Sequence, residues 1–272
     1  MIADHAFLLE GNRTGILLIH GLTGTPNEMR GLARRFHQKG YTVMALQLAG
    51  HCGTVEDLVN TTWQDWYKSV CDAAEQLKQH VDHIFVGGLS MGALLALNYA
   101  SEHRVSGVMS YSPTFKYDGW GIPWWSKFVA PWLLPLSYHL NLFRKTTFDE
   151  AEPFGIYNEK LRQRIVHSMQ HGDSSEAGLP GNPFHSLYQL QCLSKVVRSH
   201  LSRITAPCLL IHAYDDDVAH RRNSQLIYDQ VQGPKQLVWL KKSYHMITID
   251  NDREQVVTDS LSFMEQYTPA NV

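Results

Sequence analysis

The chain has 272 residues, 44% of them apolar and 18% charged, which excludes a disordered polymer and supplies enough core for one large domain or a domain carrying an insertion. Its formal net charge of −2 comes without a basic block, which argues against a nucleic-acid partner. The longest apolar run, 128–136, is short and broken by Pro131 and Pro135, so no transmembrane segment is expected.

The four cysteines (Cys52, Cys71, Cys192 and Cys208) show no C-x-x-C spacing and read as small buried hydrophobes or free thiols. Met1-Ile2-Ala3-Asp4-His5 has neither the charged nor the apolar region of a secretory leader, and the expected compartment is the cytoplasm. The 15 histidines are scattered. His80-x-x-His83 lacks the thiolate or carboxylate neighbours that a closed metal site needs, so no metal is expected.

In chain order, the first firm element is the continuous apolar run 15–20, which has the length and character of a buried parallel strand. It ends in His20-Gly21-Leu22-Thr23-Gly24. A helix follows, for which the letters predict Thr25 as N-cap, Pro26 in the first turn and Glu28 reaching back in a capping box. A strand over 41–46 and an amphipathic helix over 63–79 come next. Then 84–86 forms the strand that runs into Gly88-Leu89-Ser90-Met91-Gly92, and 105–111 a strand after the following helix. Later strands are expected at 208–212 and 236–240, and helices at 223–231 and 253–267. Alternating strands and helices predict an α/β fold: a mostly parallel sheet with helices on both faces.

The stretch from Pro113 to about Arg203 interrupts this alternation. It carries four of the seven tryptophans, Trp120, Trp124, Trp125 and Trp132, among Pro123, Pro131 and Pro135. A polar run, Gly172-Asp173-Ser174-Ser175-Glu176, leads to Gly178-Leu179-Pro180-Gly181. The expected organisation is a core of 1–112 and 204–272, with 113–203 inserted as a helical cap that contains a mobile loop. Trp120, Trp124 and Trp125 are expected to line an apolar substrate pocket or its entrance. The same apolar run leaves a membrane surface and a second subunit open as partners.

Gly88-Leu89-Ser90-Met91-Gly92 is a G-x-S-x-G pentapeptide between an apolar strand and Ala93-Leu94-Leu95-Ala96-Leu97, a strong helix former. A serine on such a sharp turn is pushed out of the sheet at the positive end of the next helix. The turn is strained and tolerates almost no atoms two residues either side, which Gly88 and Gly92 satisfy. Ser90 is the candidate nucleophile for cleavage of an acyl bond. It needs a neutral imidazole to take its proton and a carboxylate to orient that imidazole.

Two downstream segments supply both in the order serine, acid, histidine. Asp215-Asp216-Asp217 follows the strand 208–212, and Ser243-Tyr244-His245-Met246 follows 236–240. His212 should lie inside its strand as a core residue. His220 sits too close to the acid loop to reach Ser90, which leaves His245. All these loops fall at the carboxyl edge of a parallel sheet, where ligands bind.

The chain resembles the α/β-hydrolase family, most closely the small bacterial carboxylesterases and monoacylglycerol-lipase-like enzymes. The resemblance runs almost end to end through His20–Gly24, Gly40-Tyr41, Leu48-Ala49-Gly50-His51, Trp63–Trp66, the Ser90 pentapeptide, Asp216-Asp217-Val218 and Tyr244-His245-Met246-Ile247. It implies the α/β-hydrolase fold and a serine hydrolase of carboxylic esters that needs no cofactor and acts on a small-molecule substrate. By the same resemblance Asp216 is the acid, ahead of Asp215 and then Asp217, and the backbone N–H groups of Leu22 and Met91 form the oxyanion hole. One departure is Gly50-His51-Cys52 where the family has Gly-His-Gly; Cys52 is expected to support a loop near the site. A thioesterase or acyltransferase would use the same machinery, and a silent ligand-binding relative would have lost a triad member. Dehalogenases and epoxide hydrolases place aspartate where Ser90 stands.

Overall fold

The computed structural model describes residues 2–149, 151–171, 174 and 178–268. Its frame is a seven-stranded sheet. In chain order the strands are β1 (Phe7–Leu9), β2 (Thr14–Ile19), β3 (Thr42–Ala45), β4 (His83–Leu89) and β5 (Gly107–Tyr111), with β8 (Cys208–Ala213) and β9 (Lys235–Leu240). A small antiparallel pair, β6 (Thr147–Asp149) and β7 (Gly181–Pro183), stands apart from it. The spatial order in the main sheet is β1-β3-β2-β4-β5-β8-β9, and every pairing is parallel except β1 with β3. This is the α/β fold expected. The edge strand β1 is too short for periodicity to reveal.

The sheet is buried from both sides, which explains why its central strands read as unbroken apolar runs rather than alternating ones. Along β2, Leu17 and Ile19 pack into one core, and Ile16 and Leu18 into the other. The first core is closed by α3 (Trp63–Lys78), α4 (Met91–Glu102) and α7 (Phe184–His200) through Trp66, Leu94 and Leu193. The second is closed by α1 (Asn27–Gln38) and α9 (Arg253–Tyr267) through Leu32, Phe36 and Phe263. Helix α4 is buried along Met91–Ala100, so it is apolar on every face. Two capping boxes, Thr54–Asp57 and Thr62–Asp65, start α2 (Val55–Val59) and α3.

Between β5 and β8 come α5 (Ser126–His139), β6, α6 (Glu159–His171), β7 and α7. Helix α7 belongs to the core layer, since Leu190, Leu193 and Val197 are buried in it. The expected mobile loop over Gly172-Asp173-Ser174-Ser175-Glu176 falls, Ser174 apart, outside the described residues. After β8, α8 (Arg222–Gln230) returns the chain to β9. No helix among the described residues is long and apolar enough to cross a membrane.

Candidate active site

Strand β4 is the middle strand of the sheet, and Ser90 sits where it turns into α4. Its backbone lies at φ 57° and ψ −115°, a conformation costly for a residue with a side chain. Neighbours hold it there: the Ser90 N–H donates to the Tyr111 carbonyl at 2.9 Å, and the Ala93 N–H to the Ser90 carbonyl at 3.2 Å. The glycines make the turn possible. A Cβ on Gly88 would lie 2.7 Å from the Ala93 nitrogen and closer still to the Gly92 carbonyl. A Cβ on Gly92 would lie 2.5 Å from the His20 carbonyl oxygen and closer to that of Ile19. The Ser90 hydroxyl donates to Thr114 Oγ1 at 3.0 Å. Met91 opens α4, where backbone N–H groups have no partner within the helix.

The loop after β2 lies directly against this turn: a Cβ on Gly21 would meet Ser90 Cβ at 3.5 Å. Two side chains, buried His20 and half-buried Glu28, fix its path. His20 Nδ1 donates to the Gly21 carbonyl at 2.9 Å, and Nε2 accepts from the Leu48 N–H at 3.2 Å. Burial, and the adjacent His51, hold the His20 imidazole well below its ordinary pKa, so it stays neutral. The Gly21 N–H donates to the Glu28 carboxylate at 3.0 Å. Half of the expected Thr25–Glu28 capping box is present: Thr25 Oγ1 accepts the Asn27 N–H at 3.2 Å, and Pro26 already has helical backbone angles just before α1. The Glu28 half is corrected. The 21–24 loop folds back over the first turn, which offers Glu28 the Gly21 donor instead.

Asp216 and His245 meet from the ends of β8 and β9. His245 Nδ1 donates to Asp216 Oδ2 at 2.8 Å. The same oxygen lies 3.1 Å from His212 Nε2, and Oδ1 accepts the Val218 and Ala219 N–H groups at 2.8 and 2.7 Å. Burial alone would raise the pKa of the Asp216 carboxyl. The His245 charge and the hydrogen bonds from His212 and His245 outweigh it and hold the group below the usual carboxylate range. His212 is the buried core residue expected: Ser224 Oγ is 2.8 Å from its Nδ1 and the Ala219 carbonyl 2.8 Å from its Nε2.

Asp215 is exposed. Asp217 is buried but turned elsewhere, accepting the Gly155 N–H at 2.9 Å and, more weakly, the His245 N–H at 3.4 Å. Burial, then the Asp216 charge, push its carboxyl up. Sequence reasoning missed the roles of Thr114 and Asp217 and the bond from the Gly21 N–H to Glu28. Each bond is made by a side chain distant in the chain or folded back locally, and no spacing announces it.

Ser90, Leu22 and His245 line one cavity of about 70 Å³, with Phe154, Ile165 and Leu179 among its apolar walls. Trp120, Trp124 and Trp125 are not among its lining residues and are exposed. Trp120 instead packs outside it, its Nε1 donating to the Asp215 carbonyl at 2.9 Å and its ring 5.4 Å from that of Tyr244. Helix α5 turns only Leu134 and Ser137 fully inward, so its neighbouring aromatics face outward.

A parallel sheet with a strained serine on its middle strand, and a bonded acid–histidine pair on two later strand ends, defines an α/β-hydrolase. Residues 11–252 match the family described as serine aminopeptidase, S33, and the chain belongs to that family. It is 31% identical over 262 residues to a thermostable monoacylglycerol lipase of Bacillus sp. (strain H-257), covering 96% of this chain and 94% of that one. It is 27% identical over 269 residues to a carboxylesterase of Bacillus subtilis (strain 168), covering 98% of each. Among solved structures, the monoacylglycerol lipase of Paleococcus ferrophilus superposes with a TM-score of 0.80 at 16% identity, over 98% of this chain and all (100%) of the other, a likeness of fold.

Proposed function

We propose that Ser90 is the nucleophile, His245 the general base, Asp216 its orienting carboxylate, and the Leu22 and Met91 N–H groups the oxyanion hole. The chain is an ester-hydrolysing serine hydrolase. The reading of the residues rests above all on one observation: the 2.8 Å Asp216–His245 bond closes on the cavity that Ser90 also lines.

In the reaction, Ser90 Oγ bonds to the ester carbonyl carbon as its proton passes to His245 Nε2. The carbonyl oxygen becomes an oxyanion beside the Leu22 and Met91 amides. Collapse breaks the carbon–oxygen bond to the leaving alcohol, which takes the proton from His245, and leaves an acyl-serine. Water, deprotonated by His245, then attacks that ester and regenerates Ser90. Asp216, held by four hydrogen bonds, stays ionised throughout and stabilises the imidazolium.

The walls Phe154, Ile156, Ile165 and Leu179 support an apolar acyl group, with a monoacylglycerol or similar medium-chain ester as substrate. The cavity is smaller than the roughly 300 Å³ of a typical ligand pocket, and its space is that of the reacting ester group. The stretch 113–203 acts as a cap over this edge, with α7 shared between cap and core. Leu179 joins it to the oxyanion loop by donating its N–H to the Thr23 carbonyl at 3.0 Å.

The test is hydrolysis of p-nitrophenyl esters of increasing chain length, with fluorophosphonate labelling, for wild type, Ser90→Ala, Asp216→Asn and Asp215→Asn. Turnover peaking at one chain length, abolished in Ser90→Ala, lowered about 10³–10⁴-fold in Asp216→Asn and nearly intact in Asp215→Asn is expected. Labelling of Ser90 without ester turnover would shift the reading to a thioesterase or acyltransferase. Neither labelling nor turnover would point to a silent ligand binder.

A further inference from the structure

Asp217 is buried to 3% exposure, yet the reaction above gives it no part. Burial and the charge of Asp216 both oppose ionisation there. A carboxylate kept in such a place needs hydrogen-bond donors, and this one finds them on two other loops. Its Oδ2 accepts the Gly155 N–H at 2.9 Å, and its Oδ1 the His245 N–H at 3.4 Å. The Gly155 carbonyl in turn accepts the Met246 N–H at 2.8 Å. These bonds close a ring that joins the acid loop, the histidine loop and the segment 154–156.

That segment walls the Ser90 cavity through Phe154, Gly155 and Ile156. Its backbone is strained: Phe154 and Gly155 have φ of 55° and 70°, left-handed for both and costly for phenylalanine. Such a turn persists only where its surroundings hold it. It also lies close against the base, since a Cβ on Gly155 would meet His245 Cβ and Met246 Cγ at 3.1 Å. The Asp217 main chain ties down an earlier part of the stretch between β5 and β8, its carbonyl accepting the Gly121 N–H at 2.9 Å.

We propose that Asp217 is a positioning residue that clamps the acyl wall 154–156 to His245, so that one carboxylate sets both the shape of the acyl cavity and the placing of the base. Its neighbours cannot do this. Asp215 faces water, and the oxygens of Asp216 are taken up by His245, His212 and the Val218 and Ala219 amides. Asparagine would fit the same space but turn its NH₂ toward one of the two N–H groups, so it keeps one bond of the two. The functional part of the proposal rests on the ester-hydrolase reading; the bonds themselves do not.

The experiment compares full-length wild type, Asp217→Asn and Asp217→Ala, each checked by a thermal melt, on p-nitrophenyl acetate and octanoate. Asp217→Ala is expected to lower kcat about tenfold on both esters, through His245, and to raise KM about tenfold on the octanoate alone, through the loosened wall. Asp217→Asn should fall between. Partial loss of folded enzyme would lower kcat on both esters and leave KM unchanged. In a Phe154→Ala background, the octanoate KM should respond to Asp217→Ala by no more than about twofold, because the two changes act on one wall. The same chain-length preference in wild type and both folded variants overturns the clamp.

Hydrogen–deuterium exchange reads the bonds without turnover. Peptides spanning 153–157 and 245–247 should exchange about tenfold faster or more in folded Asp217→Asn, with the rest of the chain unchanged. Unaltered exchange in both peptides overturns the clamp whatever the activity. Faster exchange there in a protein whose wild type turns over neither ester would refute the ester-hydrolase reading and leave the bonds of the clamp confirmed.

Discussion

Two adjacent glycines on β4 give the sharpest test of how the Ser90 turn works. Gly87→Ala and Gly88→Ala add the same methyl group one residue apart. At Gly87 the new Cβ would meet Leu18 Cδ2 at 3.3 Å and Met109 Cβ and Cε at 3.4 Å, contacts that a few tenths of an ångström relieve. At Gly88 it would meet backbone: the Ala93 nitrogen at 2.7 Å and the Gly92 carbonyl closer still. Ordinary contacts between such atoms begin near 3.5 Å, so the strand and helix must part by roughly 1 Å. That displacement falls on Ser90, and a misplacement of about 1 Å costs on the order of 10²-fold in rate.

Forced overpacking of this kind also destabilises by about 1–3 kcal/mol, or several degrees in melting temperature for a chain of this length. Gly87→Ala should stay within about threefold of wild type, helped by the better strand propensity of alanine. The assay is steady-state ester hydrolysis together with the rate of fluorophosphonate labelling, which reads Ser90 itself, and a thermal melt to show that both variants are folded. A folded Gly88→Ala enzyme with more than a third of wild-type turnover would refute the geometric argument. So would a Gly87→Ala enzyme impaired as badly as its neighbour.

Two further outcomes concern Glu28, which holds the loop after β2, and His51, whose ring packs against His20. Glu28→Ala removes the acceptor of the Gly21 N–H and should lower kcat about tenfold with little change in KM, whereas Glu28→Gln, which keeps a carbonyl acceptor, should recover most of it. Equal kcat in all three enzymes would show that this bond does not hold the oxyanion loop.

Burial depresses the His51 imidazole to about 4 in the folded protein, and it lowers His20 in the same direction. The unfolded chain therefore binds protons from about pH 6.5 downward while the folded chain does not. Their contribution to stability is fully present above pH 6.5 and is lost as pH falls towards 4. His51 alone accounts for about 2 kcal/mol between pH 7 and 5. Urea unfolding at the two pH values measures it, and a His51→Gln variant should show a shallower slope. A wild-type protein equally stable at both would rule the linkage out.

The sequence by itself determined the strand–helix alternation that builds the parallel sheet, the strand-to-helix turn that carries Ser90, and the order in which three aspartates and His245 follow it downstream. These are legible because both faces of the sheet are covered, which turns strands into apolar runs. The Ser90 turn also admits almost no atoms, which demands glycine at 88 and 92. The choice of Asp216 over Asp215 and Asp217 came from resemblance. The packing separates the three: one faces water, one accepts from His245, His212 and two amides, and one ties down Gly155.

Only the tertiary structure decided the rest. Glu28 spells a capping box with Thr25, yet a loop that closes over the helix start gives its carboxylate another donor. The tryptophans read as pocket lining, since composition reports that a segment is apolar but not which way it faces. Direction depends on what the neighbouring elements leave uncovered. Here α5 buries only Leu134 and Ser137 fully, which leaves its aromatic surface outside.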